Sequence, residues 1–231
     1  MRKQQSGFTL IEIAIVLVII GLLLGGVLKG QELITAARVR NLISNQDGVK
    51  AAYFGFLDRY RSLPGDYSTA NAQANIPGCA ACFGGNANGQ IVTDGTSAES
   101  VHVWEHLSKA GFITGSYVSG AAVAAASTAN TPANPYGSLI ELEFDTTYRE
   151  GNAAGGADTG TARHNLKTGA NIPSDIMAEV DRKVDDGLAG SGQLRHSTFN
   201  GTSAFATCAT AGSGAWQSAT PNANCGGALL F

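Results

Sequence analysis

The chain has 231 residues and a formal net charge of −3, with 14% charged and 44% hydrophobic side chains. The acidic balance argues against a broad basic face of the kind that grips nucleic acid through its phosphates. With 30 glycines, the sequence describes loops on a modest scaffold, with no repeat of 20 to 50 residues to suggest a solenoid.

The apolar residues are concentrated at the start. Met1-Arg2-Lys3-Gln4-Gln5-Ser6-Gly7 is a short basic leader, and from Phe8 to Leu28 the one charged side chain is Glu12. At about 1.5 Å per residue this stretch predicts a helix of roughly 30 Å, the thickness of a bilayer's hydrocarbon core. A secretory signal has an apolar region of only about 7 to 15 residues with a small-x-small cut site after it. Here the run is longer and the conspicuous small residue, Gly7, precedes it. Arg2 and Lys3 place the leader in the cytoplasm and send the remainder outward; Lys29, Arg38 and Arg40 weaken that asymmetry without reversing it.

Gly7-Phe8-Thr9-Leu10-Ile11-Glu12 resembles the processing motif of type IV pilins and of the related type II secretion pseudopilins. The resemblance is specific over residues 1 to about 30 and loose beyond. It implies cleavage between Gly7 and Phe8 by a prepilin peptidase, methylation of the new Phe8 amine, and an assembly role for Glu12, the fifth residue after the cut. The fold it implies is α+β and pilin-like, a long N-terminal helix packed against a small, loop-rich antiparallel-sheet head. Residues 1–7 would be the leader, 8–63 the helix with 8–28 as its transmembrane or filament-core part, and 64–231 the exported head. The implied partners are membrane lipid before assembly, the inner-membrane assembly machinery, and then copies of itself and other pilins in a bacterial surface filament.

Glu12 has a claim to function independent of that resemblance. A carboxylate in a transmembrane helix costs about 2.5 to 3.5 kcal/mol on insertion scales, so it needs a partner. Cleavage would create one, the Phe8 amine. Pairing with a neighbouring subunit's amine would compensate both charges and set an axial stagger; pairing with its own amine, one helical turn away, is the alternative. Gly21 and Gly25 have the small-xxx-small spacing of close helix contacts, and with Gly26 each weakens the helix by about 1 kcal/mol relative to alanine. Many pilins carry a proline near the end of this segment, where this chain has Lys29-Gly30.

Beyond the apolar run, Val39, Leu42, Gln46, Val49, Tyr53, Phe56 and Tyr60 recur at spacings of three and four, which predicts that the same helix continues to about Arg61. Leu63-Pro64-Gly65-Asp66 ends it. A second helix is expected over 97–110, capped by Ser97 and terminated by Gly111, and a third over 174–186, closed by Gly187. Alternation predicts strands over 138–144 and 193–199. Segments 115–135 and 151–161 read as surface loops.

All four cysteines lie in the exported part, and an even count in an oxidising compartment predicts two disulfides with three pairings open. Cys208 with Cys225 would staple the carboxyl tail and resembles the bridge that closes many pilin heads, leaving Cys79 with Cys82. His102-Val-Trp-Glu105-His106 spells the H-x-x-E-H of some zinc proteases, with Glu179 as a third ligand. A five-residue match without context is weak, so the pair reads as surface histidines beside a packed Trp104. Gly85 to Ile91 resembles the middle of an EF-hand loop without its first aspartate and closing glutamate, and Asp181, Asp185 and Asp186 cluster beside Gly187. Turn formation and a solvated helix end compete with calcium at both places, so no cofactor is expected beyond those two calcium candidates. The function expected is a structural subunit of a type IV pilus-like filament, not an enzyme. A type II secretion pseudopilin or minor tip pilin is the alternative, and a membrane-anchored zinc-dependent enzyme is the alternative of another class.

Overall fold

A computed structural model describes residues 9–152 and 160–231. The first helix, α1, runs Leu10–Tyr60. The compact units divide inside it, one ending at Arg38 and the other running from Val39 to Phe231. In the first unit the helix is apolar on every side up to Leu28 apart from Glu12, and its leucines, isoleucines and valines stand exposed, Leu10 at 93% and Leu22 at 73%, before Lys29 and Glu32 pair at 2.6 Å. Among the described residues it is the one helix long and apolar enough to cross a membrane.

The second unit is the head, and it takes the last part of α1 as its spine. Val39, Leu42, Gln46, Val49, Ala52, Tyr53 and Phe56 are buried, the three-and-four spacing of one helix face. The helix ends where expected, and Gly65 explains why a glycine is needed there. Its φ is +86°, and a Cβ would meet Val103 Cγ2 at 2.7 Å, so the turn lies directly on α3, Glu99–Lys109.

Ser97 is not the cap of α3. The cap position is Ala98, with no side-chain bond, because Asp94 has already claimed this stretch: its Oδ1 accepts the Thr96 and Ser97 N–H groups at 2.7 and 2.8 Å. Gly111 does close the helix, in the left-handed region at φ +80°. The remaining elements are α2 (Thr69–Asn75), β1 (Glu141–Asp145), β2 (Arg163–Lys167), α4 (Ser174–Val184), β3 (Leu194–His196), a 3-10 turn at Phe199–Gly201, α5 (Phe205–Cys208) and β4 (Gly227–Leu230).

The strands form one antiparallel sheet in the order β1-β2-β4-β3. Its register places Leu142 opposite Leu166, Leu166 opposite Leu229 and Leu229 opposite Leu194. All four are at least 98% buried, so one row of leucines crosses every strand of the sheet, and such cross-strand pairs fix register. On the opposite face the Lys167 ammonium gathers Glu141, Glu143 and Asp145 at 2.6, 3.2 and 2.6 Å. Those acids alternate along β1, which puts all three on one side. Burial pushes Glu141 up to about 7 against the pull of Lys167.

Cys208 is bonded to Cys225 and Cys79 to Cys82, with Cα separations of 5.8 and 4.9 Å. Cys225 also pairs its backbone with Ile172, so the first bridge ties α5 to the run that leads into β4. Closing a loop of that size stabilises a fold by about 3 kcal/mol in the chain-entropy model, and a four-residue loop by less. Urea unfolding of Cys208→Ser/Cys225→Ser should therefore show a loss near 3 kcal/mol, clearly larger than that of Cys79→Ser/Cys82→Ser.

Candidate functional site

Residues 1–8, and with them Gly7 and Phe8, lie outside the described residues, so the amino-terminal site is visible from Thr9 onward. Thr9 is the N-cap of α1. Its Oγ1 accepts the Glu12 N–H at 3.3 Å, while Glu12 Oε2 accepts the Thr9 N–H and the Thr9 hydroxyl, each at 2.8 Å. This is a reciprocal capping box, Thr-x-x-Glu, which satisfies two of the backbone donors that a helix start leaves unmet. The tetrapeptide Thr9-Leu10-Ile11-Glu12 spells this box in the sequence itself, inside the apolar run. Both bonds from Thr9 fall on Oε2, and among the described residues Oε1 of the exposed Glu12 has no hydrogen-bond partner.

The histidine pair is not on the surface. His102 and His106 are both fully buried, with Trp104 between them. His106 Nδ1 accepts the Gly65 N–H at 3.0 Å and its Nε2 faces the Phe83 carbonyl at 2.8 Å. Both ring nitrogens are thus spent within the protein. Glu105 is also committed, its Oε2 accepting the Ser119 N–H and hydroxyl at 3.1 and 2.6 Å. The H-x-x-E-H match is a set of core hydrogen bonds joining α3 to the turn after α1 and to two loops, a role that helical spacing alone could not reveal. Glu179 is ion-paired with Lys183 at 2.6 Å.

The Gly85–Ile91 loop already holds its anions. Asp66 accepts the Asn88 and Gly89 N–H groups at 3.0 and 2.9 Å, and Glu99 accepts those of Asn86 and Val92 at 3.1 and 3.0 Å. The side-chain oxygens of Asn86 and Asn88 cap the N–H groups two residues on. The alternating asparagines therefore serve Asx turns, and the backbone donors face the two buried carboxylates. Asp181, Asp185 and Asp186 do converge, at the end of α4.

Residues 2–28 match a family model described as the prokaryotic N-terminal methylation motif. No curated protein and no solved structure matches the chain significantly. The motif, the apolar start of α1 and the α+β head support a type IV prepilin-like protein, similar to pilins and pseudopilins.

The buried histidine sets a pH limit on the head. Burial holds His106 down to about 4, and the His102 charge acts in the same direction. Because its folded value lies below the unfolded one near 6.5, its contribution is complete above pH 6.5 and is lost as pH falls toward 4. His106→Gln should be less stable at pH 7 yet lose about 2 kcal/mol less than the parent between pH 7 and pH 5, as read by urea unfolding at both values.

Proposed function

We propose that this chain is a structural subunit of a type IV pilus-like filament, stored in the inner membrane and assembled after removal of its leader. Cleavage falls between Gly7 and Phe8, and the Phe8 amine is methylated. The observation that carries the reading is the placement of Glu12: it is the only charged side chain between Phe8 and Leu28, and it sits at the first turn of α1 with Oε1 unpartnered among the described residues.

Before cleavage the capping box gives that carboxylate local partners. After cleavage a new amine stands four residues away, and two buried charges in an apolar bundle are tolerated only when they meet. In the filament, Oε1 accepts the Phe8 amine of a neighbouring subunit while Oε2 keeps the Thr9 cap. The apolar first unit supports the same reading, since its exposed leucines, isoleucines and valines need lipid or other helices as surroundings. The role is assembly, and the zinc-enzyme alternative is weakened because His106 and Glu105 are already committed to the Gly65, Phe83 and Ser119 groups.

The size of the head favours a second reading within the same class. A compact unit from Val39 to Phe231 is large for a subunit repeated along a whole fibre, and suits a minor tip pilin or a type II secretion pseudopilin. Abundance in sheared extracellular fibres separates the two, a major subunit dominating them and a minor one appearing at trace level.

Intact mass of protein taken from membranes or fibres should show loss of Met1 to Gly7 and gain of one methyl group; a chain still beginning at Met1 would refute the processing. Glu12→Ala should be cut and inserted normally, since it removes a charge from the bilayer, but its fibre yield at equal membrane level should fall at least about tenfold, a loss of roughly 1.4 kcal/mol or more per contact. Wild-type yield from both Glu12→Ala and Glu12→Gln would remove the intersubunit pairing.

A further inference from the structure

The sheet face opposite the leucine row carries one ammonium and three carboxylates. Lys167 Nζ lies 2.6 Å from Glu141, 3.2 Å from Glu143 and 2.6 Å from Asp145. An ammonium has three N–H bonds, so its donors are matched one to each acid, but the charges are not matched. The lysine side chain is 1% exposed and the acids 15 to 20%. With every group ionised, two negative charges would stand uncompensated in a nearly dry place. Like charges this close resist full ionisation, and one retained proton removes half of the excess.

The remaining hydrogen bonds decide which acid keeps that proton. Asp145 Oδ1 accepts the Asn165 amide N–H at 2.8 Å, and its carboxylate is also met by the Thr147 side chain. Glu143 Oε1 accepts the Thr93 N–H at 3.0 Å. Among the described residues Glu141 has no donor besides Lys167, and it lies within hydrogen-bonding reach of Glu143. Two carboxyl groups form such a bond only when one of them is protonated. Burial raises Glu141 to about 7 from its ordinary 4.5 against the pull of Lys167, and the Glu143 charge adds to the rise. Asp145 stays below its usual range despite burial, through Lys167 and its own donors.

The other elements packed here bring no further charge. Gln46 of α1, Asn134 and Thr168 line the small cavity beside Lys167, and the Phe199 ring covers the ammonium at 5.0 Å. The strand that carries the acids is also the one least secured, since β1 is an edge of the sheet and pairs only with β2. It holds a neighbouring segment in turn. The Phe144 N–H donates to the Ile91 carbonyl at 2.7 Å, Glu143 holds Thr93, and the Thr93 hydroxyl lies 2.6 Å from that of Ser100 on α3.

We propose that Lys167 and its three acids form a proton-operated latch on the edge strand β1, closed while Glu141 carries a proton and loosened when that proton leaves. The sign follows from linkage. An acid whose folded value is raised gives stability that is complete below its unfolded value and is lost as pH rises to the folded one. The latch is therefore tight near pH 5, weakens through pH 7 and then changes little. Loosening reaches the 91–93 segment and the start of α3, because β1 anchors both. His164 on β2, whose ring lies 5.0 Å from that of Phe144, is lowered by burial, so its contribution runs the opposite way and must be separated from that of Glu141.

Glu141→Gln makes that separation, since it keeps His164 and an acceptor for Lys167 but cannot ionise. Hydrogen exchange of the full chain in detergent micelles, corrected for the intrinsic rate at each pH, reads the opening of 141–145. The ratio of parent to variant opening should rise at least about tenfold from pH 5 to pH 7 and level off above about pH 8, as expected for release of one proton. In the parent, the carboxyl carbon resonance of Glu141 should titrate near 7, and Glu143→Gln should lower that midpoint by removing the neighbouring charge. A ratio constant from pH 5 to pH 8, or a Glu141 midpoint near 4.5, would overturn the latch. Both measurements use the unassembled subunit, so their outcome is independent of filament formation.

Discussion

The constraint on which everything else depends is that α1 is one continuous helix with two different surroundings. Up to Leu28 it is apolar around its whole circumference apart from Glu12, and charges return from Lys29; from Val39 onward only one stripe is buried, and that stripe organises the head. A helix apolar on all sides is unstable in water unless lipid or protein surrounds it, whereas an amphipathic helix needs a cover on one face only. The change of pattern at Val39 therefore assigns the first part to a bilayer or a helical bundle and makes the second part a structural member of the head.

The head compensates for its short secondary structure with buried polar groups that act as pins. Its strands run from three to five residues, and the leucine row supplies register but little length. Asp66 and Glu99 hold the 84–92 loop by its N–H groups, His106 holds the turn after α1 and the Phe83 segment, and Lys167 holds β1 through three acids. Each pin is costly to bury alone and stabilising once its partners are in place, since hydrogen bonds to charged groups are worth about 1.5 to 3 kcal/mol. Loss of any one leaves a buried charge or donor unmet, so the loops of this domain should tolerate change on their outer surface far better than at these inward carboxylates and rings.

What the sequence made legible follows the same division. The apolar span, its positively charged leader, the amphipathic continuation of α1 and the glycine stops at Gly65 and Gly111 could be read because each rests on local chemistry, whereas α4 stops at Val184, before the expected Gly187. The strand around Leu142 and the helix that becomes α4 were visible from alternation and periodicity. β2 and β4 were not: Arg-His-Asn-Leu-Lys has the composition of a loop and becomes a strand only because Leu166 finds Leu142 and Leu229, and Gly-Ala-Leu-Leu is too short to show a period. α2 is all small and polar. The burial of His102 and His106 was equally hidden, because their acceptors and donors, Ala121, Phe83 and Gly65, lie far away in sequence. At the amino terminus the capping box was legible and was missed.

The capping box bears on how a single carboxylate can serve two stages. Glu12 is stabilised by the Thr9 N–H and hydroxyl, and by the positive end of the helix dipole, which favours anions in the first turn. That arrangement lowers the cost of keeping a charge in the subunit while it waits. It does not consume the carboxylate, because both bonds from Thr9 use Oε2. Under the proposed filament role, a neighbouring amine would approach Oε1 without first breaking the cap, so assembly would need no unwinding of the first turn. The same geometry explains why glutamate suits the position better than aspartate: the shorter side chain would have to give up either the reach back to Thr9 or the reach outward.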